Sequence, residues 1–454
     1  MRLRISTFCC LLVSLAVLLP AQAPIASPAV QQLKGWLAAF NGSDWDAYLA
    51  FVQQNFATPP GPMYVNRGFR EGTGGFNLKK IEIDAATSVT ALLQERDSEQ
   101  TARIVVEVAA AEPHRIVKLQ AQPIPLPHFR EKELLPRTRQ RVQELVSADK
   151  FAGAVLVAQN GRPILAQAYG FADRERHISN TLQTQFGLAS MGKMFTGVAT
   201  LKLVRAGKLK LDDPVEKYLT DYPNKELASK VTIRELLSHT GGTGNIFGLE
   251  FDKHHLELRT HEDYIHLFGS RPLRFEPGSR WEYSNYGFVI LGAIIDRVSG
   301  QSYFGYVRDH IFTPAGMTST DTGHDRVTGA GGGTTTVEDL LRFANALQDN
   351  KLLDAHDTEL LTTGHVATPG GGKYAYGFED RTVNGTRCFG HDGAGGDVSG
   401  DLKICPQGSY VVAVLANMGV GAAQRVSNFI AGRLPESARP AATVPAGSKV
   451  PTIF

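Results

Sequence analysis

The chain has 454 residues, 43% hydrophobic and 20% charged, so it is long enough for one to three domains with sizeable cores. Its 47 basic and 45 acidic residues leave a formal net charge of +2. That balance gives no reason to expect nucleic acid or an anionic membrane surface as a partner.

The first 26 residues have the pattern of a secretory signal peptide. Arg2 and Arg4 precede an apolar run at Cys9–Leu19 that is short for a bilayer span, and small residues follow up to Ala26. We expect residues 1–26 to be removed and the mature chain to be secreted or periplasmic, with an uncleaved N-terminal anchor as the alternative. No later apolar run in the sequence predicts a membrane span.

Residues 27–122 predict a small α+β domain. Two helical patterns come first, at Val30–Phe40 and Trp45–Phe56. Four strand candidates follow: Lys80–Asp84, Ser88–Glu95, Arg103–Val108 and Arg115–Gln120. Helices followed by a run of strands are typical of α+β domains. The element order resembles the cone-shaped domains of the nuclear-transport-factor-2-like (NTF2-like) superfamily, and this region shows no catalytic constellation.

Alternating prolines at residues 123–127 predict a stiff, extended linker to a second domain at residues 128–435. That domain should begin with a helix at Glu131–Ala148 and a hairpin that turns at Asn160-Gly161. Strands return near its end and a helix closes it: Thr386–Gly390, Gly400–Cys405, Tyr410–Ala416 and Ala422–Ile430. We therefore expect an antiparallel sheet from both ends of the domain, wrapped around a helical middle. The Ala/Pro/Ser-rich residues 436–454 predict a flexible tail.

Cleavage of the signal peptide would leave two cysteines, Cys388 and Cys405, on either side of a glycine-rich stretch. If these flanks form a hairpin, the cysteines could face each other, and an exported protein permits one disulfide. Two buried free thiols are the alternative.

Four histidines between residues 254 and 266 do not have the spacing of a zinc site. His261-Glu262 and His266 are one residue too far apart for H-E-x-x-H, and five positions on a helix separate two side chains by about 140°. Together with His254 and His255, we expect them at the surface of a variable loop. No metal and no organic cofactor is implied.

The sharpest chemical feature is Ser190-Met191-Gly192-Lys193, an S-x-x-K at the start of a helical pattern. Residues three apart share a helix face, so the Lys193 amine can reach the Ser190 hydroxyl. A serine hydroxyl needs an adjacent base to become a good nucleophile. Lysine can serve when burial or nearby positive charge removes its proton.

Two further motifs support this site. Tyr283-Ser284-Asn285 precedes an apolar helical run, so the tyrosine could relay a proton and the asparagine could hold a substrate carbonyl. Gly390-His391-Asp392-Gly393-Ala394 lies on a late strand, where small residues would let a substrate bind along the strand edge.

The order S-x-x-K, Tyr-Ser-Asn and His-x-Gly resembles the serine β-lactamase and penicillin-binding-protein superfamily, closest to its class C-like branch of family VIII esterases and D-amino-acid peptidases. The resemblance implies a β-lactamase-like fold over about residues 130–434. It implies that Ser190 is acylated, that Lys193 and Tyr283 share general-base and proton-return duties, and that the N–H groups of Ser190 and Ala394 form an oxyanion hole. Asn285, His391 and Gly393 would then contact substrate.

One departure from that pattern bears on the substrate. Class C β-lactamases carry Lys-Thr-Gly where this chain has His391-Asp392-Gly393. Because a histidine titrates near neutrality, any preference for substrate carboxylates should weaken as pH rises through the His391 pKa.

The sequence thus predicts a serine hydrolase for small esters, amides or peptides. Esters and small amides come first, cell-wall or D-peptides second and β-lactams third. A protein that binds cell-wall peptides without turnover is the alternative. The physiological substrate, the oligomeric state and the task of the first domain stay open.

Overall fold

The computed structural model describes residues 26–59, 67, 69, 70, 72–321 and 327–435. The signal peptide, apart from Ala26, and the tail at residues 436–454 lie outside this part of the chain, and both stay predictions. Among the described residues, no helix combines the length and apolarity that crossing a membrane requires.

The N-terminal unit packs two helices on one meandering sheet. Its elements are α1 (Pro28–Asn41), α2 (Trp45–Asn55), β1 (Phe76–Ala85), β2 (Ser88–Glu95), β3 (Thr101–Val108) and β4 (Ile116–Pro123). Neighbouring strands pair antiparallel in the order β1-β2-β3-β4. Ser27 and Asp44 cap the two helices through side-chain oxygens, as their sequence positions favour. The likeness to NTF2-like domains stays a prediction.

The C-terminal unit contains the remaining elements. Its helices are α3 (Glu131–Ser147), α4 (Gly192–Arg205), α5 (Lys225–Lys230), α6 (Ile233–Leu237), α7 (Leu249–His254), α8 (His261–Phe268), α9 (Asn285–Ser299), α10 (Tyr303–Val307), α11 (Thr313–Ala315), α12 (Val337–Gln348), α13 (Ala355–Thr362) and α14 (Ala422–Ala431). Shorter helical turns lie at Ala189–Met191, Val215–Lys217 and Arg308–Phe312.

The strands of this unit form one large sheet and two small ribbons. They are β5 (Gly153–Gln159), β6 (Arg162–Tyr169), β7 (Phe171–Asp173), β8 (Ile178–Ser179), β9 (Phe186–Gly187), β10 (Thr334–Thr335), β11 (Val366–Ala367), β12 (Lys373–Tyr374), β13 (Glu379–Val383), β14 (Thr386–Gly395), β15 (Val398–Cys405) and β16 (Tyr410–Ala416). The large sheet has the order β11-β12-β13-β14-β15-β16-β5-β6, with antiparallel pairing.

Both ends of the C-terminal unit therefore meet in one sheet, which confirms the expected α+β architecture. Alternate residues of the central strands face opposite sides, as the period of two in a strand requires. Leu156 and Ala413 pack on the helical middle, whereas Val157 and Val412 pack on α3 and α14. Strand β13 was not predicted, because its sequence Glu-Asp-Arg-Thr-Val has no apolar alternation.

The register of β14 leaves part of one edge open. Strand β13 pairs with β14 from Val383↔Thr386 to Glu379↔Gly390, whereas β15 continues along β14 as far as Gly395↔Val398. Among the described strands, none pairs with residues 391–395 on the β13 side. Further back on the same hairpin, the structure joins Cys388 and Cys405 in a disulfide.

Candidate active site

Ser190 lies in the short helical turn Ala189–Met191 that leads into α4. Ala189 has a φ of 44°, a left-handed conformation that residues other than glycine rarely adopt. The neighbouring loop packs directly on this turn: Gly332 donates its N–H to the Ala189 carbonyl at 3.1 Å. A Cβ on Gly331 would lie 2.0 Å from that same carbonyl, so only glycine fits there. The serine is thus held by backbone contacts on both sides.

The Lys193 amine lies one helical turn from the serine and is completely buried, with 0% of its surface exposed. Its Nζ is 3.2 Å from Ser190 Oγ, 2.7 Å from Asn285 Oδ1 and 2.6 Å from the Ala330 carbonyl. Burial lowers the Lys193 pKa well below its ordinary value, and the charge of Asp392 opposes this only in part. The geometry suits an amine that has lost its charge.

Tyr283, which lies two residues before α9, joins this pair. The Lys193 Nζ lies 4.9 Å from the centre of the Tyr283 ring. Burial raises the pKa of the Tyr283 phenol, and a side-chain hydrogen bond with Ser190 opposes that rise. The phenol therefore keeps its proton at ordinary pH. It can relay a proton, but in this protonated state it cannot act as a base.

Asn285 is the first residue of α9, whose N-cap is Ser284. Its Oδ1 accepts from Lys193, and its Nδ2 donates to Asn245 Oδ1 at 3.0 Å. A substrate carbonyl would need an Asn285 Nδ2 donor, and one of the two is used by Asn245. The contact between Asn285 and Lys193 was not foreseen from the sequence, and the role of Asn285 toward substrate stays a prediction.

Strand β14 passes immediately beside the serine. A Cβ on Gly393 would lie 2.5 Å from the Leu188 carbonyl and 2.9 Å from Ser190 N, so the approach of the two backbones requires glycine. Ala394 follows on the open, exposed edge of the strand. The backbone of β14 at Gly393 therefore lies directly against the turn that carries Ser190.

His391 lies on the same strand, but it does not behave as the sequence analysis expected. It is 2% exposed, and its Nε2 accepts from the Tyr374 hydroxyl at 2.9 Å. Its Nδ1 faces the Asp392 carbonyl, which can only accept, so Nδ1 carries the proton. Burial lowers the His391 pKa to about 4. The expectation of titration near neutrality was wrong, because the ring is buried and is neutral at pH 7.

Comparison with known proteins places this geometry in a family. The Beta-lactamase family model matches residues 138–434. The chain belongs to the beta-lactamase family. A penicillin-binding protein of Bacillus subtilis (strain 168) is 34% identical over 176 residues, which are 38% of this chain and 38% of that protein. The chain thus spans less than half the length of the curated relatives it matches.

Solved structures agree with this fold. A penicillin binding protein from Bacillus halodurans is 28% identical with a TM-score of 0.56, covering 63% of this chain and 98% of that one. A D-amino acid amidase from Ochrobactrum anthropi, in complex with D-phenylalanine, is 21% identical with a TM-score of 0.55, covering 66% of this chain and 97% of that one. The second likeness concerns the fold alone.

In this beta-lactamase-family chain, His239 packs against residues of the site. This role of His239 was not predicted from the sequence. Its Nδ1 accepts the Ser284 N–H at 3.1 Å, and its ring centre lies 4.4 Å from both Tyr283 and Tyr374. Burial lowers its pKa well below the ordinary value. The motif Leu236–Gly241 contains this histidine and was a sequence signal, but its role depends on contacts with residues as far along the chain as Tyr283 and Tyr374.

His261 corrects another expectation. It was expected at the surface, but it is buried, with Nδ1 2.6 Å from Asp296 Oδ2. Its Nε2 accepts the Gly329 N–H at 3.0 Å, and the next residue, Ala330, accepts from Lys193. His261 therefore helps to fix the loop whose Ala330 carbonyl accepts from Lys193. The spacing of the histidines did not indicate that His261 lies on the buried face of its helix.

Proposed function

We propose that this chain is a serine hydrolase that forms an acyl-enzyme on Ser190. One observation carries the proposal: the Ser190 Oγ lies 3.2 Å from a completely buried lysine amine. Tyr283 and the open edge of β14 lie beside this pair. Nucleophile, base and a space for the acyl carbonyl are the parts that acyl transfer requires.

The hydrogen bonds of Lys193 suggest how the base works. A neutral amine has two N–H donors, which its contacts with Asn285 Oδ1 and the Ala330 carbonyl would use. Its lone pair is then left to accept the Ser190 proton while the serine oxygen attacks the acyl carbon. In this mechanism the bond from the acyl carbon to the leaving group then breaks, and Lys193 passes the Ser190 proton through the Tyr283 hydroxyl to the departing alcohol or amine.

The oxyanion that forms in this step needs N–H donors. We assign them to Ser190 and Ala394, because the Gly393 backbone lies against the serine turn. Water then attacks the acyl-enzyme by the reverse proton path and releases the acid.

The substrate proposal follows from the neutral state of His391. Without a permanent cation at this position, a substrate carboxylate gains little, so class C-like β-lactam hydrolysis ranks below hydrolysis of uncharged esters and small amides. The fold shared with a D-amino acid amidase keeps D-amino-acid amides and peptides as the second class. The Cys388–Cys405 disulfide supports export, because disulfides persist mainly in oxidising compartments.

A substrate panel tests this proposal. Purified wild type and Ser190→Ala would be assayed with p-nitrophenyl esters, D-amino-acid amides and a chromogenic cephalosporin. We expect wild type to hydrolyse the esters fastest and Ser190→Ala to lose that activity. Equal, slow rates in both proteins would favour the alternative, a peptide-binding protein without turnover.

A further inference from the structure

The linker between the two units is fastened to both of them. On one side, the Ile124 N–H donates to the Thr101 carbonyl and the Gln100 side chain donates to the Ile124 carbonyl, each at 2.9 Å. On the other side, Leu126 exchanges two hydrogen bonds with the Asn384 side chain, at 3.0 and 2.7 Å. The extended linker is therefore docked along its length, which fixes where the N-terminal unit lies.

Ion pairs fasten the β2–β3 turn of the N-terminal unit to the C-terminal unit. The Asp97 carboxylate is 7% exposed; it contacts the Lys150 amine and lies 3.1 Å from Arg425 Nε. Glu99 pairs with Arg433 at 2.8 Å. Removal of a partner from a buried charge such as Asp97 is strongly unfavourable, so the Asp97 ion pairs hold the turn in place, whereas the more exposed Glu99 contributes less.

The fastened turn borders the same cleft as the candidate active site. A cleft of about 2320 Å³ is lined by Ser190 and Tyr283 of the C-terminal unit and also by Thr73, Ser98 and Gln100 of the N-terminal unit. Small-ligand pockets usually hold about 300–1,000 Å³. The cleft therefore has room for a substrate much longer than the group that reacts with Ser190.

The chemistry of the cleft favours an extended peptide over a hydrocarbon chain. Residues 391–395 present open backbone hydrogen-bonding groups beside the serine, which a peptide backbone can pair with and an alkyl chain cannot. The part of the lining that the N-terminal unit contributes mixes polar Thr73, Ser98 and Gln100 with apolar Phe69, so it can accommodate the mixed side chains of a peptide.

We infer that the N-terminal unit is a specificity-determining wall of the substrate cleft, which contacts the distal residues of a peptide whose acyl group reaches Ser190. This inference rests on the proposed function, because only an enzyme that turns substrates over can select among them by rate. Within that function it favours the second substrate class, peptides, over small esters and amides. The two units then act as one binding surface, and the ion pairs of Asp97 and Glu99 hold that surface together.

Two substrates with the same reacting group test the inference. One is an N-acetyl amino-acid p-nitrophenyl ester; the other carries the same residue at the end of a pentapeptidyl p-nitrophenyl ester. We expect wild type to have the higher kcat/KM for the long ester. Asp97→Asn should lower that value about tenfold and the milder Glu99→Gln by a smaller factor, and both should leave the short ester within about twofold, because remote binding energy is lost. Asp149→Asn, which removes an exposed ion pair with Arg174, is the matched control.

Each other outcome overturns the inference. No preference for the long ester in wild type, an equal loss on both esters, or no loss in either variant would show that the wall does not contact substrate. If wild type instead prefers a long-chain acyl p-nitrophenyl ester, the occupant of the cleft is a lipid chain and not a peptide, and the inference is wrong. Failure of the proposed function is separate, because then neither ester would be hydrolysed faster by wild type than by Ser190→Ala.

Discussion

Lys193 shows how burial changes the chemistry of a single residue. Its amine lies between neutral oxygens and the rings of Tyr283 and Phe288, with no exposed surface. A charged amine would lose its water there, so the neutral form is favoured and the pKa falls. The motif S-x-x-K indicated proximity, but only the tertiary structure supplies the desolvation that favours the neutral amine.

Substitution of Lys193 by methionine tests this role. We expect kcat to fall about 10²–10⁴-fold, the usual contribution of a general base. In wild type, kcat/KM should rise with pH through a Lys193 pKa below the ordinary value and then level off, since the neutral amine is the active form. The variant should lose this rise. Lys202→Met, on the same helix and partly exposed, is the control; a rise retained in Lys193→Met would rule out the lysine as the titrating base.

The buried state of His391 gives a second prediction. Because its pKa is lowered to about 4, the ring is neutral throughout the neutral and alkaline range. The ratio of kcat/KM for a succinyl monoester to that for a neutral ester should stay constant between about pH 6 and pH 9. A ratio that falls steadily between about pH 6 and pH 7 would restore the original expectation of a titrating cation.

Sequence alone identified Ser190, Lys193 and Tyr283, because their motifs place them on known local structures. The contacts of Asn285 with Lys193 and of His239 with Ser284 were not predictable, because each joins elements far apart in the chain. For the same reason, the sequence predicted an ordinary pKa for His391, whereas burial of the ring in the fold lowers that pKa strongly.

At the scale of elements, strand β14 combines the open edge with the close approach to Ser190. Gly393→Ala tests this approach, because its Cβ would displace the Ser190 backbone, 2.9 Å away. Loss of an oxyanion donor should lower kcat about 10²–10³-fold. Gly395→Ala is the matched control on the same strand, since a Cβ there meets no atom within 4 Å. Equal activity of the two variants would place the oxyanion hole elsewhere.

The β14–β15 hairpin also carries the disulfide, which closes a loop with a sequence separation of 17. Loop closure of about this length stabilises a fold by about 3 kcal/mol. The double variant Cys388→Ala/Cys405→Ala should therefore lower the free energy of unfolding by about that amount in urea titrations. The same variant in the presence of reductant is the control. A free energy of unfolding equal to that of oxidised wild type would mean that the bridge contributes nothing.

At the scale of the whole molecule, the sequence predicted a sheet built from both ends of the second domain, since turn signals and apolar alternation are local. The docking of the N-terminal unit was not predictable. Asp97, Lys150 and Arg425 each look like solvated surface charges in the sequence, and their ion pairs form only when the two units meet. The polar sequence of β13 gave no strand signal either, although this strand sets where the open edge of β14 begins.

The central claim is that the Ser190 hydroxyl is an activated nucleophile. Purified wild type and Ser190→Ala would be treated with a fluorophosphonate and their intact masses measured, followed by mapping of the labelled peptide. If the Ser190 hydroxyl is activated, wild type carries one adduct per chain on Ser190 and the variant carries none. Unlabelled wild type, or a label that persists in Ser190→Ala, would contradict it.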